Sequence, residues 1–366
     1  MILFSIGLPS RFAEWCDFLS LNLAQRTLGE VAAIAAETLD DLAIAVIKTR
    51  ATHLVIGSRQ PVTQLSHAVA GAGARFIVAL DDPRFALYDL VRHHGVDLVE
   101  AVRIIARSCA SMIGVSEIPG ALVLRSEGDW GYPLAAAIAG HFDLAVSEAD
   151  LAASVETLPA MRSLADADGF DAWWTGLDEP QRAVANGALA AYVSYFAGEE
   201  FGPVTWERDL FILGDEEKRP HEPVPATRPI DITGRSRFLI YGPYLALPPG
   251  SWLASITLGF SPEAAEMSYL VEIGAASAIL ATTTVAPRGA QSMEINLTFA
   301  IDQSVGGPLD VRILNERAAF DGRLALGYVT LSPRGQIRND ALKFFASALD
   351  TANAAVEPRP SGAPDE

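Results

Sequence analysis

The chain has 366 residues, half of them hydrophobic and 20% charged, and carries a net charge of −18. That balance argues against nucleic acid, whose phosphates need a surplus of Lys and Arg, and against an anionic membrane surface. The length suggests two domains. The two cysteines, Cys16 and Cys109, stand in no metal or disulfide spacing and point to a reduced, cytoplasmic protein.

In chain order, Ile2–Gly7 reads as a buried strand and Phe12–Leu28 as a helix with Phe12, Trp15, Cys16, Leu19 and Leu23 on one stripe. Val31–Ala35 is a second strand, and Thr38 caps a helix over Leu39–Thr49. His53–Gly57 is a third strand, followed by a short helix over Leu65–Ala72 and a strand over Arg75–Leu80. Asp81-Asp82-Pro83 opens a helix that runs to about His94, since Pro suits the first helical turn and acids suit its positive end. A long helix over Val96–Ile113, a strand over Ala121–Arg125 and helices over Pro133–Phe142 and Ser147–Val155 follow. Apolar strands alternating with helices mean a parallel sheet covered on both faces.

After Asp166 the rhythm weakens. Asp171–Gly176 holds Trp173-Trp174, Pro180–Phe196 is helical, and Pro203–Ile212 is extended. Residues 214–229, charged and rich in Pro, read as a linker. Short strands with turn signals fill 230–335, with Met293, Ile295, Leu297 and Phe299 alternating with polar residues. This predicts an antiparallel sandwich or jelly roll. Residues 336–350 carry a short amphipathic helix (339–349), and an Ala-, Pro- and acid-rich tail over 351–366 has the composition of a disordered segment. The expected organisation is thus an α/β domain over 1–213 (core 1–160, helical extension 161–213), the linker, the sandwich, the helix and the tail.

No apolar run reaches the ~18 residues of a spanning helix, and Pro9-Ser10-Arg11 ends the first apolar run too early for a signal peptide. The six His residues form no HxxxH or HExxH spacing, so neither a metal site nor a cofactor is expected. Sites in open parallel sheets lie beyond the carboxyl ends of the strands. Gly7, Ser10, Arg11 and Phe12, with Ser58, Arg59 and Arg125 at other strand ends, are therefore the candidate ligand-binding set. Arg11 at a helix start would supply charge to a phosphate or sulfate. Asp81-Asp82 is either an acid/base pair or the plain cap of the following helix. Trp173, Trp174, Tyr192 and Tyr195 read as packing, and both cysteines as buried small hydrophobes.

Three landmarks make 1–160 resemble the P-loop sulfotransferases. Gly7-Leu8-Pro9-Ser10-Arg11-Phe12-Ala13-Glu14 stands where that family has G-x-P-R-S-G-T-T. Phe76–Leu80 runs into Asp81-Asp82-Pro83 where the family has R-D-P, and Asp89 takes the place of a Ser eight residues after that Arg. Arg125-Ser126-Glu127-Gly128, followed by Pro133, stands for R-Y-E-D and a Pro-initiated helix. The resemblance implies a scaffold built to hold a phosphosulfate donor, but the departures fall on its chemistry. Ala13-Glu14 replaces the Thr pair, and Asp81 and Asp89 replace the Arg and Ser that hold the donor's 3′-phosphate. Two lost charge-assisted hydrogen bonds amount to about 3–6 kcal/mol, or roughly a hundred- to ten-thousandfold in affinity.

The stretches Ile240-Tyr241-Gly242-Pro243-Tyr244 and Leu247-Pro248-Pro249-Gly250-Ser251-Trp252 resemble β-sandwich modules found beside polysaccharide enzymes. That resemblance makes Tyr241, Tyr244 and Trp252 glycan-binding candidates, since aromatic faces stack on sugar rings. The leading expectation is a non-catalytic, sulfotransferase-like protein with a glycan-binding-like sandwich, acting in bacterial surface-polysaccharide assembly or its regulation. Its partner would be a saccharide or a polysaccharide-assembly protein. Two alternatives stay open: an active transferase with altered donor use on a saccharide, and a protein-interaction scaffold.

Overall fold

The structure is a computed structural model that describes residues 1–49, 51–61, 65, 66, 68, 69, 72–127, 130–158, 167–214, 224–265, 267–276, 278–302, 307–341 and 343. Residues 215–223 of the linker expected at 214–229, most of the C-terminal helix and the tail at 351–366 lie outside the described residues.

The first unit is built on a five-stranded parallel sheet of β1 (Ile2–Gly7), β2 (Val31–Ala35), β3 (His53–Ser58), β4 (Phe76–Leu80) and β5 (Ala121–Arg125), in the order β2-β3-β1-β4-β5. Its helices are α1 (Arg11–Leu28), α2 (Leu39–Lys48), α3 (Pro83–His93), α4 (Leu98–Met112), α5 (Tyr132–His141) and α6 (Glu148–Glu156). The central strands β1, β3 and β4 read as largely apolar runs because they are buried on both faces. Successive side chains point to opposite sides of the sheet. Leu3, Val55, Ile77 and Ala79 join Trp15, Leu19 and Leu23 of α1 on one face. Phe4, Ile6, Ile56, Val78 and Leu80 join Leu87, Val102 and Ile105 of α3 and α4 on the other.

The second unit is a β-sandwich. One sheet runs β14 (Gln291–Ile301), β11 (Gly250–Phe260), β16 (Arg323–Pro333) and β6 (Val204–Glu207), with β8 (Ile230–Asp231) also on β16. The other runs β13 (Ala278–Val285), β12 (Tyr269–Ala275), β15 (Leu309–Asn315), β9 (Arg237–Tyr241) and β7 (Ile212–Leu213), with β10 (Pro243–Leu245) on β15. Trp252, Ala254, Ile256, Leu258 and Phe260 of β11 alternate inward, as do Ile295, Leu297, Phe299 and Ile301 of β14. They meet Tyr269, Val271 and Ile273 from the opposite sheet.

Here the structure moves a boundary. β6 and β7 precede residues 214–229, yet they pair with β16 and β9 and belong to the sandwich. Strands of four and two residues are too short to display an alternation, so sequence leaves them with the helical extension. The end of the Pro-rich stretch also folds back: the Leu213 N–H donates to Val224 O at 2.8 Å and the Ala226 N–H to Phe211 O at 2.9 Å.

Two further helices, α7 (Ala167–Gly176) and α8 (Glu179–Phe196), complete the chain's described helices of this region. α8 is the joint. Val184, Ala188 and Leu189 share one continuous apolar core with both units. The Tyr192 hydroxyl donates to Ala246 O at 3.0 Å. Gly187 lies so close to β6 that a Cβ there would stand 2.6 Å from Thr205 O. No helix among the described residues is long and apolar enough to cross a membrane.

Candidate functional site

The strand order places β1 between β3, reached by one winding direction, and β4, reached by the other. A crevice beyond the carboxyl ends of such neighbouring strands is where open α/β sheets bind ligands. β1 gives way to α1 in three residues, Leu8, Pro9 and Ser10. Leu8 is buried, the Ser10 N–H donates to Leu8 O at 2.7 Å, and Ser10 Oγ caps α1 by accepting from the Ala13 N–H at 3.4 Å. Gly7 permits this close entry: a Cβ there would lie 2.6 Å from Ala13 Cβ. β4 delivers Asp81, and β5 delivers Ser126, whose N–H donates to Leu80 O at 3.1 Å.

The result is a cleft of about 170 Å³. Its polar lining is Ser10, Arg11, Asp81, Asp89, Ser126 and Glu127, and its aromatic lining is Phe12, Phe85, Tyr88 and Trp130. The rings fall into two groups, Phe12 with Trp130 on one side and Phe85 and Tyr88 with Phe170 and Trp173 on the other. Phe12 and Trp130 have centroids 4.8 Å apart, Tyr88 and Trp173 5.3 Å, and Phe85 and Phe170 4.4 Å.

Charge decides what this cleft accepts. Arg11 Nε meets Asp89 Oδ1 at 2.7 Å, with the Asp89 side chain 7% exposed. The cation expected to hold a phosphate or sulfate is therefore already engaged, by the acid that stands where the resembled family has Ser. Asp81 is buried, and burial pushes its carboxyl up to about 6 from an ordinary 3.8. The hydroxyls of Ser126 and Ser10 and the Asp82 N–H, 2.9 Å from Oδ1, pull the other way by hydrogen-bonding the ionised form. Asp82 faces away from this role: it caps α3 through the Arg84 N–H at 2.8 Å and pairs with the Arg84 guanidinium at 2.6 Å. The capping reading thus holds for Asp82, whereas Asp81 belongs to the cleft.

The structure does not bring the whole expected set together. Ser10, Arg11 and Phe12 line the cleft, and Gly7 supports it from behind. Ser58 and Arg59 sit at the end of β3 in a different network. There Ser58 Oγ donates to Glu37 at 2.7 Å, the Arg59 N–H donates to Glu37 at 2.9 Å, and the Arg59 side chain pairs with Asp17. Burial pushes Asp17 up despite that pair. Arg59, Asp17 and Glu37 border a separate cavity of about 380 Å³ between α1 and β2. Arg125 donates to Phe196 O at the end of α8 and does not line the cleft.

On the sandwich, Trp252 is fully buried and its Nε1 donates to Pro248 O at 3.2 Å, so its ring offers no face to a sugar. Its place on an inward position of β11 is the reason. Tyr241 and Tyr244 lie edge to face at 6.4 Å, and Tyr244 is 37% exposed. Cys16 and Cys109 are both buried, which raises their thiols well above the usual range.

Sequence reasoning missed Phe85, Tyr88 and Trp130 as site residues and left Asp81, Asp89, Ser126 and Glu127 outside its final ligand-binding set. Asp81, Asp89, Ser126 and Glu127 were visible as occupants of landmark positions. Phe85, Tyr88 and Trp130 gave no signal beyond ordinary helix and loop composition. Among the described residues, no group of three or more His, Cys, Asp or Glu is arranged to hold a metal ion.

No protein-family profile and no curated protein matches the chain. Several solved structures resemble part of it. One is a cyclase from Fischerella sp. TAU in complex with 4-(1H-indol-3-yl)butan-2-one (16% identity, 28% of this chain, 58% of that one, TM-score 0.22). Another is a family 16 carbohydrate-binding module (12%, 29% and 76%, TM-score 0.22). A third is the CBM36-1 domain of a multidomain xylanase from the hindgut metagenome of Trinervitermes trinervoides (9%, 36% and 98%, TM-score 0.24). The chain spans 58% of the cyclase and only 20% of an arabinose-bound GH51 α-L-arabinofuranosidase. At these identities and scores the likenesses assign neither a ligand nor an activity.

Proposed function

We propose that the chain is a non-catalytic binding protein for a saccharide, with a sulfotransferase-like scaffold reused in its first unit. The observation that carries this reading is the 2.7 Å pair between Arg11 and Asp89. A phosphosulfate donor brings several negative charges. The cleft meets it with one guanidinium already paired and with the further carboxyls of Asp81 and Glu127. Pulling Arg11 away would strand the largely buried Asp89, at a cost of about 3–5 kcal/mol, or roughly two to four decades of affinity.

What the lining suits is a neutral, polyhydroxylated ring. Carboxylates accept strong hydrogen bonds from hydroxyls, and Tyr88, Phe85 and Trp130 supply apolar faces. The sandwich joins this proposal as a glycan-binding-like module through the sequence resemblance around Tyr241 and Tyr244. So does a place in bacterial surface-polysaccharide assembly or its regulation.

A second reading has one observation in its favour. A carboxyl near 6 inside a cleft has the acidity of a general base, which fits a transferase acting on a saccharide hydroxyl with a donor other than phosphosulfate. Calorimetric titration with a panel of neutral oligosaccharides, joined to turnover assays of the same saccharides with nucleoside-diphosphate-sugar donors, separates the two when run with wild type and Asp81→Asn. Binding that survives Asp81→Asn, with no turnover in either protein, supports the binding protein. Turnover abolished by Asp81→Asn replaces it with the transferase.

A further inference from the structure

The seam between the two units holds a second site of opposite character. α4 faces β10 across a cavity of about 250 Å³ whose lining includes Gln60, Glu100, Arg103, Arg107 and Tyr244. At about 30 Å³ per water molecule, that volume admits a small ligand. Arg103 and Arg107 are four residues apart on α4 and so share one helix face.

The two arginines are held differently. Arg103 is fixed: its Nε donates to Pro243 O at 2.9 Å, Nη1 donates to Glu100 Oε2 at 3.3 Å, and its guanidinium lies 5.9 Å from the centre of the Tyr244 ring. Arg107 is exposed and makes no hydrogen bond or ion pair among the described residues. It therefore lines the cavity as a cation without a carboxylate partner. It also stands beside a second cation, a repulsion that a bound anion would offset. The neighbouring acid Asp310 is already engaged by Arg312 Nε at 2.6 Å. Among the described residues of the lining, Glu100 is then the single carboxylate, against two guanidinium groups.

Tyr244 completes the site. Its φ of +63° is a left-handed conformation that costs a non-glycine residue, and such strain gathers at functional positions. That conformation holds a partly exposed ring at the cavity.

We propose that this seam cavity binds a single oxyanion, the carboxylate, sulfate or phosphate group of a small ligand. Arg107 takes the oxyanion through its guanidinium fork, Arg103 adds charge from the same helix face, and the body of the ligand rests against Tyr244. The site is independent of the switch-point cleft, which is carboxyl-rich and takes a neutral ring.

The test is calorimetric titration of the full chain with sodium sulfate, sodium phosphate, D-glucuronate and, as the neutral control, D-glucose. The proteins are wild type, Arg107→Gln, Arg107→Lys and Tyr244→Ala. Arg107 touches no partner, so both Arg107 variants keep the wild-type melting temperature without ligand. At least one of the three anions binds wild type, and Arg107→Gln weakens it tenfold or more while Arg107→Lys weakens it less. A glucuronate affinity that falls in Tyr244→Ala, with sulfate unchanged, identifies a ring-bearing ligand. Inorganic ions alone responding to Arg107→Gln identifies a free oxyanion. The proposal is overturned if none of the anions binds at millimolar concentration, or if Arg107→Gln leaves their affinity unchanged.

Discussion

Arg11 and Asp89 close on one another at 2.7 Å across the switch-point cleft, one from the first turn of α1 and the other from the middle of α3. The pair turns a helix N-terminus that would attract an anion into a neutral wall. The His93 and His94 rings stand 3.9 Å from the same carboxylate, beyond hydrogen-bond distance, so Arg11 is the close partner of Asp89. Asp89→Ser, which installs the residue of the resembled family, releases the guanidinium. Inorganic sulfate and adenosine 3′,5′-bisphosphate then bind about ten- to a hundredfold more tightly than to wild type, as read by calorimetry.

Asp81 makes stability depend on pH with a definite sign. Its carboxyl is raised from 3.8 to about 6 by burial, so the folded protein holds a proton that the unfolded chain has lost. Stability therefore falls as pH rises from about 4 to about 6 and is level above that. Asp81→Asn removes this slope. It also stabilises the protein at pH 7 by up to about 3 kcal/mol. Urea titrations of both proteins at pH 4.5 and pH 7 measure the difference.

The joint between the units tolerates no side chain at Gly187, where a Cβ would meet Thr205 O at 2.6 Å. Helix propensity alone would make Gly187→Ala stabilising by about 1 kcal/mol. Overpacking against backbone costs roughly 1–3 kcal/mol, so the net effect is a loss. A lower melting temperature for Gly187→Ala is the expected result.

Two aromatic residues should separate binding from folding. Tyr88 lines the cleft and packs against Trp173. Tyr88→Ala lowers saccharide affinity by about three- to tenfold, the worth of one stacking contact. Trp252 is wholly buried in the sandwich. Trp252→Ala costs about 3–5 kcal/mol of stability and leaves saccharide affinity per folded molecule unchanged.

The parallel sheet and the sandwich were legible because both write themselves as patterns. Phe76–Leu80 is apolar throughout, and Ile2–Gly7 nearly so, since both faces of these strands are covered. Met293 to Phe299 alternates since β14 has one wet face. The cap at Thr38 was legible because its chemistry is local. The site was legible only in part. Landmark spacing located Ser10, Arg11, Asp81 and Asp89, but the pairing of Arg11 with Asp89 is a fact of space. So is the separation of Ser58 and Arg59, which Glu37 and Asp17 claim on the far side of α1. Tyr88 and Trp130 carry no local signature, since a ring in a helix or loop serves core and cleft equally. Trp252 shows the reverse error: its position after a Pro-Pro-Gly turn suggests a rim, while its inward register on β11 buries it.

The measurement that tests the central claim most directly is calorimetric titration of the wild-type chain with adenosine 3′,5′-bisphosphate, alongside Arg11→Ala. A cleft whose cation is held by Asp89 adds no binding of its own, so any millimolar affinity, including that of the seam cavity, is the same in wild type and Arg11→Ala. Micromolar binding to wild type that Arg11→Ala abolishes would contradict the account, because it would show Arg11 leaving Asp89 to hold the donor's phosphate.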